Sequence, residues 1–109
     1  MSLKIVVHDN ARFDAIDIAY HIAEDSLEAA DRFADAIDAA YGQLSEMPGL
    51  GARRDYGNPK LKGLRMWPVP KFQNHLIFYR ATEEELFIIR VLHGAQDIET
   101  IFKADADEY

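Results

Sequence analysis

The stretch that most limits what this chain can fold into is Leu61–Ile98, LKGLRMWPVPKFQNHLIFYRATEEELFIIRVLHGAQDI. It holds three apolar runs, Leu61–Val69, His75–Ala81 and Leu86–Leu92, rich in β-branched and aromatic residues. Such residues fit a pleated, half-buried surface. The spacers PKFQN and TEEE are short enough to join them as an antiparallel meander. Each run also carries one arginine: Arg65, Arg80 and Arg90. A sheet that faces only a core has no place for a guanidinium, so each of these charges requires an answer.

Side chains alternate between the two faces of a strand. On strict alternation Leu64 and Met66 oppose Arg65, Trp67 and Val69. His75, Ile77 and Tyr79 oppose Leu76, Phe78 and Arg80. Leu86, Ile88, Arg90 and Leu92 oppose Phe87, Ile89, Val91 and His93. Both faces are therefore largely apolar, whereas a sheet wetted on one side reads half polar. One layer of helices covers one face. The other needs a second cover from the C-terminal segment, a twin subunit or another protein. An amphipathic partner segment with Leu or Phe anchors and Asp or Glu beside them suits the arginine-bearing face.

The rest of the chain supplies the helical layer. Ser2–His8 reads as a strand, and Asp9 or Asn10 as the cap of a helix from about Ala11 to Glu24. Phe13, Ile16, Ala19, Tyr20 and Ala23 form its expected buried stripe, broadened by Ile18 and Ile22. Ser26 caps a second helix whose apolar positions run through Leu27, Ala30, Phe33, Ile37, Ala40, Tyr41, Leu44 and Met47. The very short link forces a helical hairpin. Pro48-Gly49-Leu50-Gly51 ends it. After the strands, Asp97 caps a short helix, Ile98–Lys103, and the acidic tail is expected to fray. The expectation is one domain over residues 1–109 of α+β class: an N-terminal strand, an antiparallel helical hairpin packed on an antiparallel sheet (β-α-α-β-β-β), and a short C-terminal helix.

Charge narrows the function classes. The net charge of −7 opposes unspecific phosphate-backbone binding, which needs a positive field. The hairpin region holds most of the acid, and its acidic side reads as a solvated face. Arg53, Arg54, Lys60, Lys62, Arg65 and Lys71 form a local basic island with only Asp55 among them. There is no cysteine, which excludes disulfides and thiolate chemistry. His8, His21 and His75 lack ligand spacing, so no metal or other cofactor is expected. The loop 49–59 lacks the GxxxxGK[ST] pattern of a phosphate-binding P-loop. No stretch reads as a signal peptide or membrane span, so the expected location is the cytoplasm.

The segments ARFDAIDIAYHIAEDSLEAADRFADAIDAAYGQLSEMPGLGAR, LKGLRMWPVPKFQNHLIFYR and IIRVLHGAQDI resemble the toxins of the ParE/RelE superfamily of bacterial toxin–antitoxin pairs. LIFYR (Leu76–Arg80) and RVLHG (Arg90–Gly94) are the most specific tracts. The arginine customary after HG is absent, the chain reading Ala95-Gln96-Asp97. The resemblance implies a small α+β toxin neutralised by a cognate antitoxin, whose amphipathic C-terminal segment wraps the toxin while its N-terminal part binds DNA. It is nearer ParE, which inhibits DNA gyrase by protein binding, than RelE, which cleaves messenger RNA on the ribosome. The toxin itself is then not expected to bind DNA or to be an enzyme.

On this reading Arg65, Trp67, Phe72, Arg80 and Arg90 are the candidate antitoxin- or target-binding residues. Trp67 and Phe72 serve equally well as closure for the lower edge of the core. The RelE-like alternative makes Arg65, Arg80, Arg90 and His93 an RNA-cleaving set, with His93 as acid or base and an arginine clamping phosphate. Strict alternation puts His93 and Arg90 on opposite faces, and the competing reading of His93 is a strand-end residue bonded to backbone. A toxin-like scaffold without toxicity, and a homodimer burying the second sheet face, remain as further alternatives.

Overall fold

The computed structural model describes residues 2–109. Strand β1 (Lys4–Val7) leads into helix α1 (Asp9–Asp25) and helix α2 (Leu27–Glu46). A two-residue strand β2 (Ala52–Arg53) and a 3-10 turn (Pro59–Leu61) come next. The meander is β3 (Arg65–Val69), β4 (Phe72–Ala81) and β5 (Glu85–His93), followed by helix α3 (Ile98–Ala104). The sheet order is β1-β5-β4-β3-β2.

The expected element order holds, with three differences. The sheet is mixed: β1 lies parallel to β5, Lys4 opposite Glu85 through Val7 opposite Ile88. The helical hairpin between the first strand and the meander supplies the crossover that parallel pairing requires. β2 adds a fifth strand. The turn between β3 and β4 is only Pro70-Lys71, so β4 starts at Phe72 rather than His75; Lys71 takes φ +68° to make it.

The hairpin is closed by a single residue. Ser26 sits in extended conformation and its Oγ accepts from the Ala29 N–H at 3.1 Å, while its own N–H returns to the Ile22 carbonyl. That one residue stops α1 and starts α2. The N-cap of α1 is His8, not Asp9 or Asn10: its Nδ1 accepts from the Asn10 N–H at 3.1 Å.

Two clusters sandwich the sheet. On the hairpin side, Ala11, Phe33, Ile37, Ala40 and Leu44 pack on Val69, Ile77, Tyr79, Leu86, Ile88 and Val91. On the opposite side Leu61, Leu64, Phe78, Ile89, Leu92 and Phe102 form a second cluster. The C-terminal segment, one of the covers that the two-sided apolarity allows, lies on this side. Phe102 of α3 stacks on Tyr56 at 5.3 Å and meets Phe78 edge-on at 5.2 Å.

Strict alternation fails in β5. Phe78 is opposite Arg90 but Tyr79 is opposite Ile88, so β5 carries an extra residue there. This bulge shifts the parity. Val91 and His93 therefore join Leu86 and Ile88 on the hairpin side, and Leu92 joins Phe87 and Ile89 on the other.

The acidic tail is tied down rather than frayed. The Tyr109 hydroxyl donates to Asp105 Oδ2 at 2.9 Å, its ring lies 4.7 Å from that of His8, and His8 Nε2 meets the Glu108 carbonyl at 3.3 Å.

Candidate interaction surface

Two of the three arginines, Arg65 and Arg90, are hydrogen-bonded inside the chain, whereas the buried Nε of Arg80 has no hydrogen-bond partner among the described residues. Arg90 Nε and Nη2 donate to the two carboxylate oxygens of Asp14 at 2.7 and 2.8 Å, and its Nη1 donates to Asp105. Side chains of all three residues are only 15–16% exposed. Burial alone disfavours the guanidinium charge, but the hydrogen bonds and charges of Asp14 and Asp105 outweigh it and push the Arg90 pKa up. Asp14 Oδ2 also accepts the Val91 N–H at 3.0 Å. β1 ends at Val7, so the β5 edge beyond Ile88 lacks a neighbouring strand. A carboxylate from α1 takes over there, and Arg90 neutralises it.

Arg65 donates to the Gly51 carbonyl at 2.7 Å and reaches the Gly49 carbonyl at 3.4 Å. It works beside Tyr79, whose fully buried hydroxyl donates to the Pro48 carbonyl at 2.7 Å and accepts the Gly51 N–H at 2.8 Å. A Cβ at Gly51 would lie 2.5 Å from that hydroxyl oxygen, so the loop approaches this closely only as glycine. Burial raises the Tyr79 pKa, against the lowering effects of the Gly51 bond and Arg65. Arg80 lies 4.7 Å over the ring of Phe87, a cation–π contact.

His93 is a strand-end residue bonded to backbone. Its Nδ1 accepts the Ala95 N–H at 2.9 Å, its own N–H donates to Gln96 Oε1 at 2.7 Å, and its ring stands edge-on to His75 at 5.2 Å. Burial first, and then the neighbouring His93, lower the His75 pKa. The four residues of the nuclease alternative are not gathered. Arg65 is opposite Tyr79 and His93 opposite His75 on the hairpin side, while Arg80 is opposite Phe87 on the other. Arg80 and the His75–His93 pair are five positions apart along β4, roughly 17 Å at strand rise.

Trp67 and Phe72 are half-buried against the hairpin-side cluster, Phe72 edge-on to Phe33 at 5.3 Å.

The open apolar surface lies elsewhere, on the helices. Phe13, Ile16, Tyr20 and Leu27 are 66, 61, 71 and 74% exposed. Phe13, Ile16 and Tyr20 were expected in the buried stripe of α1. That stripe is instead Ala11, Ile18, Ala19 and Ile22, with Asp14 in line with them. The helix has two apolar faces, and the Asp14–Arg90 pair selects which one turns inward. Positions 13, 16, 20 and 23 follow a three–four spacing, which lines up one side of α1, and Leu27 is exposed at the start of α2, across the Ser26 turn. Asp9, Asp17, Glu24, Asp25 and Glu28 are all exposed around this stripe. Spacing alone offered a hint: an aspartate four residues before Ile18, on the same line as Ala11 and Ile22, marks a face that needs an internal cation.

Among the described residues no helix is long and apolar enough to cross a membrane. No curated protein matches the sequence. Among solved structures, a chain of the "Chromosomal ParDE TA system from P. aeruginosa" is similar in fold, with a TM-score of 0.66 at 18% identity, covering 84% of this chain and 96% of that one. A family description, "ParE toxin of type II toxin-antitoxin system, parDE", matches residues 5–98. Matched over nearly its whole length, from β1 to the first residue of α3, the chain belongs to the ParE toxin family of type II toxin–antitoxin systems.

Proposed function

We propose that this ParE-family toxin acts in the cytoplasm by binding, inhibiting DNA gyrase through protein contact, and that a cognate antitoxin silences it. The observation that carries the reading is the exposed stripe Phe13–Ile16–Tyr20 along α1. Apolar side chains of this size, aligned and bordered by acid, form the half-site for an amphipathic helix with apolar anchors and basic flanks. The antitoxin's amphipathic segment is therefore assigned to the outer face of the hairpin rather than to the sheet, whose two faces the chain covers itself. A binding mode of inhibition fits the scattered placement of Arg65, Arg80, Arg90 and His93, which leaves no acid–base pair around a common point.

The test has two arms. Purified toxin added to gyrase should block supercoiling of relaxed plasmid while leaving ribosome-bound messenger RNA intact. Unchanged supercoiling together with cut messenger RNA would overturn the gyrase reading. In the second arm, Ile16→Glu/Tyr20→Glu should lose the antitoxin encoded beside it and keep its thermal stability, because both positions are exposed. Undiminished antitoxin binding by that variant would move the docking surface elsewhere.

A further inference from the structure

The basic island resolves into a groove. Arg53, Arg54, Asp55, Asn58, Lys62 and the backbone of Gly57 and Gly63 line a cavity of about 480 Å³, which Pro59, Leu61 and Leu64 also border. Gly57 and Gly63 both take φ +79°, which lets the chain bend around it. Among the described residues Arg53, Arg54, Lys60 and Lys62 have no ion-pair partner; the ion pairs of this chain involve His21, Arg90 and Lys103. The one acid at the groove, Asp55, is engaged with the Gly57 N–H at 2.8 Å. Arg54 bonds one nitrogen to the Arg53 carbonyl at 2.8 Å. Asn58 Oδ1 caps the Lys60 N–H at 2.9 Å, which fixes the amide, and its buried Nδ2 has no protein partner.

We propose that this groove binds a phosphate-bearing ligand of nucleotide size. The groove offers the Arg53 guanidinium, the Lys62 ammonium and the nitrogens of Arg54 not bonded to the Arg53 carbonyl, against the single carboxylate of Asp55. Guanidinium forks match phosphate oxygens two at a time. The volume lies in the range of small-molecule sites, roughly 300–1,000 Å³, and Pro59 adds apolar surface beside the cations. The net charge of −7 sets the size limit. A long polyanion would run onto acidic surface, whereas a compact one feels chiefly the charges within a Debye length, about 8 Å at physiological salt. The phosphate belongs either to a free nucleotide or to a short nucleic-acid segment presented by a target. The site stands apart from the hairpin stripe and does not depend on how the toxin acts.

The test is backbone amide NMR of the full chain titrated with ATP, with pyrophosphate and with a short single-stranded oligonucleotide. Shifts should concentrate in residues 53–64. Affinity should fall at least tenfold in Arg53→Gln/Lys62→Gln, whose remaining spectrum reports an intact fold, and hold in Lys71→Gln. Tighter binding of ATP than of the oligonucleotide identifies the free nucleotide, and the reverse order a nucleic-acid phosphate; both support the site. No shifts at millimolar phosphate ligand, shifts that survive the double variant, or tighter binding of a glutamate-rich peptide would overturn it.

Discussion

Arg90→Met should unfold this protein more readily than any removal of an exposed arginine, because it strands two carboxylates at once. The substitution keeps an unbranched chain of similar reach and deletes three charge-assisted hydrogen bonds, two to Asp14 and one to Asp105. Each such bond contributes about 1.5–3 kcal/mol, and breaking a buried pair by removing one partner costs about 3–5 kcal/mol. All three side chains retain 15–16% exposure, so water recovers part of the loss and about 3 kcal/mol is expected. Against a urea slope of about 1.5 kcal/mol/M that lowers the midpoint by about 2 M, and the melting temperature by about 12 °C. The single tryptophan, Trp67, reports the transition by fluorescence. Arg90→Met/Asp14→Asn/Asp105→Asn should regain most of the loss, since the neutral amide oxygen introduced at position 14 still accepts the Val91 N–H. A single variant within about 0.5 kcal/mol of wild type, or a triple variant less stable than the single, would refute the clamp and return Arg90 to the list of free binding groups.

Three further outcomes follow from the same geometry. Tyr79→Phe should cost about 2–3 kcal/mol, because it leaves the Gly51 N–H and Pro48 carbonyl without partners; chemical denaturation measures it, and a loss below about 0.5 kcal/mol contradicts the bridge. Ser26→Ala should lower stability by about 1 kcal/mol through loss of the Ala29 cap, read as a melting shift of about 4 °C. Burial and His93 depress the His75 pKa from its unfolded value of 6.5; the folded state therefore binds this proton less readily than the unfolded state. Its contribution is full above pH 6.5 and is lost as pH falls below that value toward the folded pKa. Melting scans from pH 7.5 to 5 should drop less for His75→Gln than for wild type, and equal slopes would exclude the effect.

Local pattern was enough to determine the main elements of this protein, though not the short strand β2: a helical pair before a β-rich meander, one arginine per meander strand, and two greasy sheet faces. Those features depend on periodicity and turn chemistry, which act over a few residues. The resemblance carried by LIFYR and RVLHG rests on the same short range, and the packing explains part of it, since Tyr79 knots the 48–51 loop and Arg90 holds the β5 edge.

Only the tertiary structure decided which side of each element faces in. Strict alternation misplaced Val91, Leu92 and His93 because one extra residue in β5 reverses parity, and no residue type announces that bulge. Periodicity likewise gave α1 one buried stripe through Phe13, Ile16, Ala19, Tyr20 and Ala23, broadened by Ile18 and Ile22, and the fold buries only the Ile18, Ala19 and Ile22 side of it. The choice came from Asp14, 76 positions from its partner Arg90 in the chain, whose carboxylate had to reach the unpaired β5 edge. Turning that side inward left Phe13, Ile16 and Tyr20 facing water. A charge that must be answered at long range outranks a hydrophobic pattern that is satisfied either way, and that contest is settled only when the chain is folded.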